Sequence, residues 1–169
     1  ASLPPRVAVV GSGYIAVELA GMLAALGAKV TLLARYDSLV RRFDEMLQAS
    51  VIEGLQGDGV ELRWRSVPAA VEHQRDGLRL KTQDGVAHGP FDALLWAVGR
   101  GPTTTGLGLE AVGVLMDEAG FIPTNRYQDT NIAGIHAIGD VTGREALTPV
   151  AIAAGRRLSD RLFGGMADR

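Results

Sequence analysis

Short, unbroken apolar runs alternate with stretches in which apolar side chains recur every three or four positions, and this alternation spans the first third of the chain. Runs of the first kind, bounded by Gly or Pro, predict strands buried on both faces. The 3.6-residue recurrence predicts amphipathic helices. After a Pro4–Pro5 linker, residues 6–10 (RVAVV) predict a strand that stops at a glycine turn. Residues 14–26 predict a helix on the spacing of Ile15, Leu19, Leu23 and Leu26, closed by Gly27. Residues 29–33 predict a second parallel strand, and strand, helix and strand in so short a span form a right-handed βαβ unit. A helix over 43–55 and a strand over 60–64 extend the pattern.

The period then changes. Short extended pieces at 70–73, 77–82 and 85–88 are joined by RDG and QDG, and Asp-Gly favours hairpins because both residues accept positive φ. An antiparallel meander is predicted there, followed by one buried strand over 91–98 (FDALLWAV) that ends at Gly99. GRGPTTTG marks a domain boundary near residue 101 on Gly and Pro grounds. Beyond it, short strands are expected around 121–123 and 135–138, then a helix over 149–163. The predicted fold class is α/β, with a Rossmann-like βαβ parallel sheet and an antiparallel β-meander over residues 1–101. Residues 102–169 carry too few strands to make a complete domain.

Composition narrows the chemistry rather than the fold. Lys and Arg total 17 against 19 Asp and Glu, a net charge of −2, which argues against a broad nucleic-acid surface. Any basic site must be local. The chain has no cysteine, which excludes disulfides, thiolate catalysis and zinc–thiolate sites within it. His73, His88 and His136 lack metal-ligand spacing, so no metal site is expected. No apolar run reaches the length of a membrane span and no secretory signal opens the sequence. A cytoplasmic protein without a membrane partner is expected.

GSGYIA, residues 11–16, stands where the first strand meets the first helix. Gly11 allows a tight turn and Gly13 lets the backbone approach a pyrophosphate. The helix N-terminus adds free N–H groups and partial positive charge. The third fingerprint position is Ala16, which the pattern tolerates. In such a unit an acid about 20 residues on takes the ribose 2′-hydroxyl of NAD, whereas arginine suits a 2′-phosphate. Here that position is Ala34, followed by Arg35 and, one loop later, Arg41. Guanidinium groups pair bidentately with phosphate and stay charged, so NADPH is favoured over NADH. Arg42 receives no role and reads as solvent-facing. In TNIAGIHAIGD, Asp140 ends an apolar strand after a glycine, where a carboxylate can reach a polyol hydroxyl.

RVAVVGSGYIAVELAG, LLARYDSLVRRFD, WAVGRGP, TNIAGIHAIGD and LTPVAIAAGRRL resemble, in order, motifs of the flavoprotein pyridine nucleotide-disulfide oxidoreductases, and among them of the glutathione reductases. The resemblance implies that 1–101 is an NADPH-binding domain and that 102–169 is a central segment completing an FAD-binding domain. It implies that Gly11, Gly13 and Ile15 line the pyrophosphate and nicotinamide path. Tyr14 is similar to the aromatic gate over the flavin, and Glu18 to the flavin-side carboxylate whose lysine partner lies outside this chain. Arg35 and Arg41 match the 2′-phosphate arginines, while Tyr36 departs from a basic residue often found there and could stack near adenine. Gly99 and Arg100 resemble the strand-end turn bordering the cofactor. Asp140 becomes the acceptor for the FAD ribityl chain. Leu147 and Thr148 precede a helix whose dipole would face the flavin pyrimidine end and stabilise charge on the reduced ring.

The implied function is hydride transfer from NADPH to flavin, followed by reduction of glutathione disulfide, in a homodimer. The FAD-binding glycine motif, the redox cysteine pair and the C-terminal dimerisation domain have no counterpart here. No catalytic residue is therefore assigned, and the chain alone is expected not to reduce disulfides. The helix over 149–163 carries Val150, Ile152, Ala153, Leu158 and Leu162 without a partner sheet. That stripe predicts a dimer or swapped arrangement, or disorder after about residue 105. Two alternatives stay open. One is a trypanothione, dihydrolipoamide or mercuric reductase, of which the dihydrolipoamide enzyme would carry Glu near Ala34. The other is a non-catalytic nucleotide-binding module.

Overall fold

The computed structural model describes residues 2–168, in two compact units that part between Gly99 and Arg100. In the first unit, β1 (Arg6–Val10) leads through α1 (Tyr14–Ala25) to β2 (Lys29–Leu33), then through α2 (Glu45–Gly57) to β3 (Glu61–Arg63). A three-stranded antiparallel sheet follows, built from β4 (Pro68–Gln74), β5 (Gly77–Thr82) and β6 (Ala87–Phe91), before β7 (Ala93–Trp96) returns beside β1. The parallel sheet has the order β3-β2-β1-β7, with Val9 in register between Leu32 and Leu95. The class is α/β.

Both faces of that sheet are covered. Val7 and Val9 belong to a core with Ala16, Ala20 and Leu23 of α1 and Leu55 of α2, whereas Ala8 and Val10 belong to a second core with Leu80 and Phe91 of the antiparallel sheet. Successive side chains point to opposite faces, so a strand buried on both sides must be apolar throughout. That is why β1 and β2 are legible as unbroken runs.

Several boundaries differ from the sequence expectation, each for a local reason. The strand expected over 91–98 is split: Phe91 closes β6, and Asp92 turns its carboxylate to Arg6 before β7 begins. Trp96 and Val98 are exposed rather than buried. α2 starts at Glu45 instead of residue 43 because the Asp44 carboxylate caps it, accepting the Leu47 N–H at 2.9 Å. In the meander β5 has the expected bounds, β4 runs longer, from Pro68 to Gln74, and β6 is shifted to Ala87–Phe91.

In the second unit, α3 (Thr148–Phe163) packs beside a 3₁₀ turn over Gly139–Thr142, and Val114, Ile122 and Ala137 form a small core. The short strands expected at 121–123 and 135–138 do not form. A single antiparallel bridge, Asp129 to His136, stands in their place. Side chains satisfy the backbone locally instead: Asp117 accepts the N–H groups of Ala119 and Phe121, and Asn125 those of Tyr127 and Asp129. Residues beyond 105 thus carry defined elements and a core of their own, in place of the disorder that the apolar stripe suggested. Val150, Ile152 and Leu162 of α3 are nonetheless exposed within their unit.

Candidate functional site

The glycine turn between β1 and α1 is built around two glycines with different reasons to be glycine. Gly11 has φ +145°, and a Cβ there would lie 2.3 Å from the Ala97 carbonyl oxygen at the end of β7. Its N–H donates to the Leu33 carbonyl at 3.0 Å, so the turn is locked between two strands. Gly13 has an ordinary φ of −86°, and a Cβ there would meet no atom within 4 Å. Neither the backbone angle nor any protein neighbour demands glycine at 13. Gly13 is the N-cap of α1, contributes no side-chain cap, and is followed by a first turn without an acid. The helix end is thus left with positive partial charge and clear space before it. Ala16 is fully buried behind the turn, Ile15 is half-buried, and Tyr14 and Glu18 are exposed on the first two turns.

The arginine loop follows β2. Ala34 is fully buried, its N–H donating to the Arg63 carbonyl and its own carbonyl accepting from the Ser66 N–H, and its methyl group offers no acceptor to a hydroxyl. Arg35, Tyr36 and Arg41 are exposed, and the structure brings all three together. The Arg41 guanidinium lies 3.9 Å from the centre of the Tyr36 ring and that of Arg35 lies 5.5 Å from it. Both distances are within cation–π range, so one ring draws two cations to the same place. The Tyr36 ring, read from sequence as able to stack near adenine, has the Arg41 guanidinium over it.

Between the arginines, Leu39 and Val40 plunge into the helix-side core, and the Val40 N–H donates to the Ser12 carbonyl at 2.7 Å. The arginine loop and the glycine turn are therefore one tied assembly. Arg42 is exposed. The acid in the loop, Asp37, is gripped by Arg65: Nε lies 2.9 and 2.8 Å from the two carboxylate oxygens and an Nη lies 2.5 Å from one. This fork holds the Asp37 carboxyl below its usual range, first through the hydrogen bonds. Arg65 was missed by sequence reasoning; 28 residues separate the partners, and no local spacing rule reports such a pair.

Gly99 closes the first unit at φ +140°, with open space around it. In the second unit Arg100 donates to Asp140 at 2.8 Å and to the Ala146 carbonyl at 3.2 Å. Arg100, read from sequence only as part of a strand-end turn, is thus the partner of the Asp140 carboxylate and spans to the segment before α3. Leu147 is the N-cap of α3 and Thr148 its first residue, with Pro149 next. A separate ion cluster, also missed, joins Arg161 of α3 to Asp129, whose carboxylate lies 2.8 Å from His136 Nδ1. Arg161 holds the Asp129 carboxyl below its usual range. Among the described residues, no group of three or more His, Asp or Glu is placed to hold a metal, and no helix is long and apolar enough to cross a membrane.

Residues 1–155 match the family model described as pyridine nucleotide-disulphide oxidoreductase. The chain is 46% identical to the glutathione reductase of Schizosaccharomyces pombe across 99% of its own length and 36% of that protein, so it spans about a third of the curated relative it matches. Among solved structures, the Cu(II) complex of the HOCl-induced flavoprotein disulfide reductase RclA from Escherichia coli superposes with a TM-score of 0.88 at 30% identity, over 99% of this chain and 38% of that one. An engineered water-forming NADPH oxidase bound to NADPH superposes with a TM-score of 0.83 at 26% identity, over 95% of this chain and 37% of that one. The matched residues include the whole of the glycine turn, the arginine loop and the Asp140 turn, and the chain belongs to the pyridine nucleotide-disulphide oxidoreductase family.

Proposed function

We propose that the first unit is an NADP(H)-binding domain and that the second contributes part of an FAD site, in a homodimeric cytoplasmic enzyme that reduces glutathione disulfide. The observation that carries the cofactor choice is the tied arginine loop, with a buried Ala34 where an acid would bind a ribose hydroxyl and two guanidiniums gathered on Tyr36. The residues fit the cofactor. Clear space at Gly13 and the uncapped start of α1 suit a pyrophosphate, and Arg35 and Arg41 suit the extra phosphate.

The engineered NADPH oxidase supports this reading. It carries five substitutions: Gly→Ala, then Asp→Ala, Ala→Arg and Met→Ser in succession, then Pro→Arg. Their spacing is that of Ala16, Ala34, Arg35, Tyr36 and Arg41 here. An alanine replacing an aspartate beside a new arginine reproduces the end of β2 in this chain.

When bound, the nicotinamide and flavin would supply hydride and electron transfer towards a disulfide. The chain's own residues bind and orient. Gly11 and Gly13 admit the pyrophosphate, Ile15 and Gly99 border its path, and Tyr14 with Glu18 lies on the exposed start of α1. Asp140, oriented by Arg100, retains acceptor capacity for a ribityl hydroxyl, since a carboxylate accepts about four hydrogen bonds. Leu147 and Thr148 present the positive end of α3.

Titration calorimetry with NADP⁺ and NAD⁺ tests the assignment. NADP⁺ binds more tightly, and Arg35→Ala or Arg41→Ala weakens it at least about tenfold, the loss of a charge-assisted hydrogen bond. Equal affinities for the two nucleotides in the parent protein would refute it.

A further inference from the structure

Asp37 poses an electrostatic problem for the arginine loop. It stands two residues from Arg35, in the loop proposed to receive a phosphate dianion, and a bare carboxylate there would oppose the anion. The structure answers with Arg65, which comes from the turn after β3 and forks Asp37 through three short contacts. Arg65 holds φ +53°, a left-handed backbone angle uncommon for arginine. The flanking chain is fixed by the Ala34 to Arg63 and Ser66 to Ala34 hydrogen bonds and by the buried Ser66, so this angle is imposed by the β2–β3 pairing and directs the guanidinium to the loop. Exposed ion pairs add little to stability. The pair's consequence lies instead in the charge the loop presents.

Resting on the NADP(H) reading, we propose that Arg65 is a positioning residue for cofactor specificity: by forking Asp37 it cancels the only carboxylate between Arg35 and Arg41 and leaves the loop cationic for a 2′-phosphate. The loop from 35 to 41 reads Arg, Tyr, Asp, Ser, Leu, Val, Arg, so without Arg65 its net charge falls from +2 plus a neutral pair to +1. A unit charge within a Debye length of a phosphate dianion, about 8 Å at physiological salt, changes binding roughly three- to tenfold. A nucleotide without the 2′-phosphate has no such group to feel the change.

The test is a double-mutant cycle read by calorimetry with NADP⁺ and NAD⁺, on Arg65→Ala, Asp37→Asn and the double variant, with Arg35→Ala as reference. Arg65→Ala weakens NADP⁺ about three- to tenfold and NAD⁺ less than about twofold. Adding Asp37→Asn restores NADP⁺ affinity to within about twofold of the parent, and Arg65→Lys, which keeps the charge, stays within about threefold. An Arg65→Ala variant that binds NADP⁺ like the parent overturns the proposal. So does a double variant as weak as Arg65→Ala, or an equal loss for NAD⁺, which would mark a merely structural role. If Arg35→Ala is silent as well, the NADP(H) reading itself fails; if Arg35→Ala loses affinity while Arg65→Ala does not, only the role of Arg65 falls.

Discussion

Gly11 and Gly13 share a turn, yet alanine at each should fail in a different assay. At Gly11 an added Cβ meets the Ala97 carbonyl oxygen at 2.3 Å and its carbon at 2.9 Å, on backbone that cannot swing aside as a side chain can. The φ of +145° adds strain of about 1–3 kcal/mol for a residue with a side chain. Relieving the clash moves β7 from β1 at the Ala97 N–H to Val10 carbonyl bond, 2.7 Å long, a further loss of about 1 kcal/mol. Gly11→Ala should therefore cost roughly 2–4 kcal/mol, a fall of roughly 5–15 °C in Tm for a chain of this size. At Gly13 the Cβ enters empty space from a permitted angle, so Gly13→Ala should cost less than about 1 kcal/mol of stability. It should nonetheless weaken NADP⁺ at least about tenfold, because the methyl stands where the pyrophosphate would approach. Circular-dichroism melts and nucleotide titrations on both variants decide the matter. A Gly11→Ala protein that melts like the parent, or a Gly13→Ala protein that binds normally, would refute the reasoning.

Two further outcomes follow from the first unit. Arg6 holds the Asp92 carboxyl below its usual range, chiefly through side-chain hydrogen bonds. A carboxyl with a lowered folded pKa stabilises the fold above its unfolded pKa, and that contribution is lost as pH falls through the folded value. Asp92→Asn should thus flatten the acid limb of Tm against pH, and unchanged acid limbs would contradict it. Leu32, fully buried between β1 and β3, should cost about 2–5 kcal/mol when replaced by alanine, read as a lower urea midpoint; a change under about 1 kcal/mol would mean the helix-side core is not packed as described.

Much of the first unit was legible because its signals are local. β1, α1 and β2 follow from runs and periods within single segments, and the glycine turn and basic strand end from fixed offsets within one βαβ unit. The errors arose where a side chain took over a backbone's role. Asp44 delayed α2, Asp92 broke the strand expected to run to Val98, and Asp117 and Asn125 tied turns where strands were expected. An apolar run with a cap or Asx turn beside it is ambiguous until the competing hydrogen bonds are known.

By itself the sequence determined that a glycine turn would open the first helix and that arginine rather than an acid would follow the second strand. Tertiary structure alone decided which charges those arginines would feel. Arg65 reaches Asp37 across 28 residues, Arg100 reaches Asp140 across 40, and Arg161 reaches Asp129 across 32. Ion pairs form wherever topology sets two side chains side by side, and no periodicity along the chain encodes that placement.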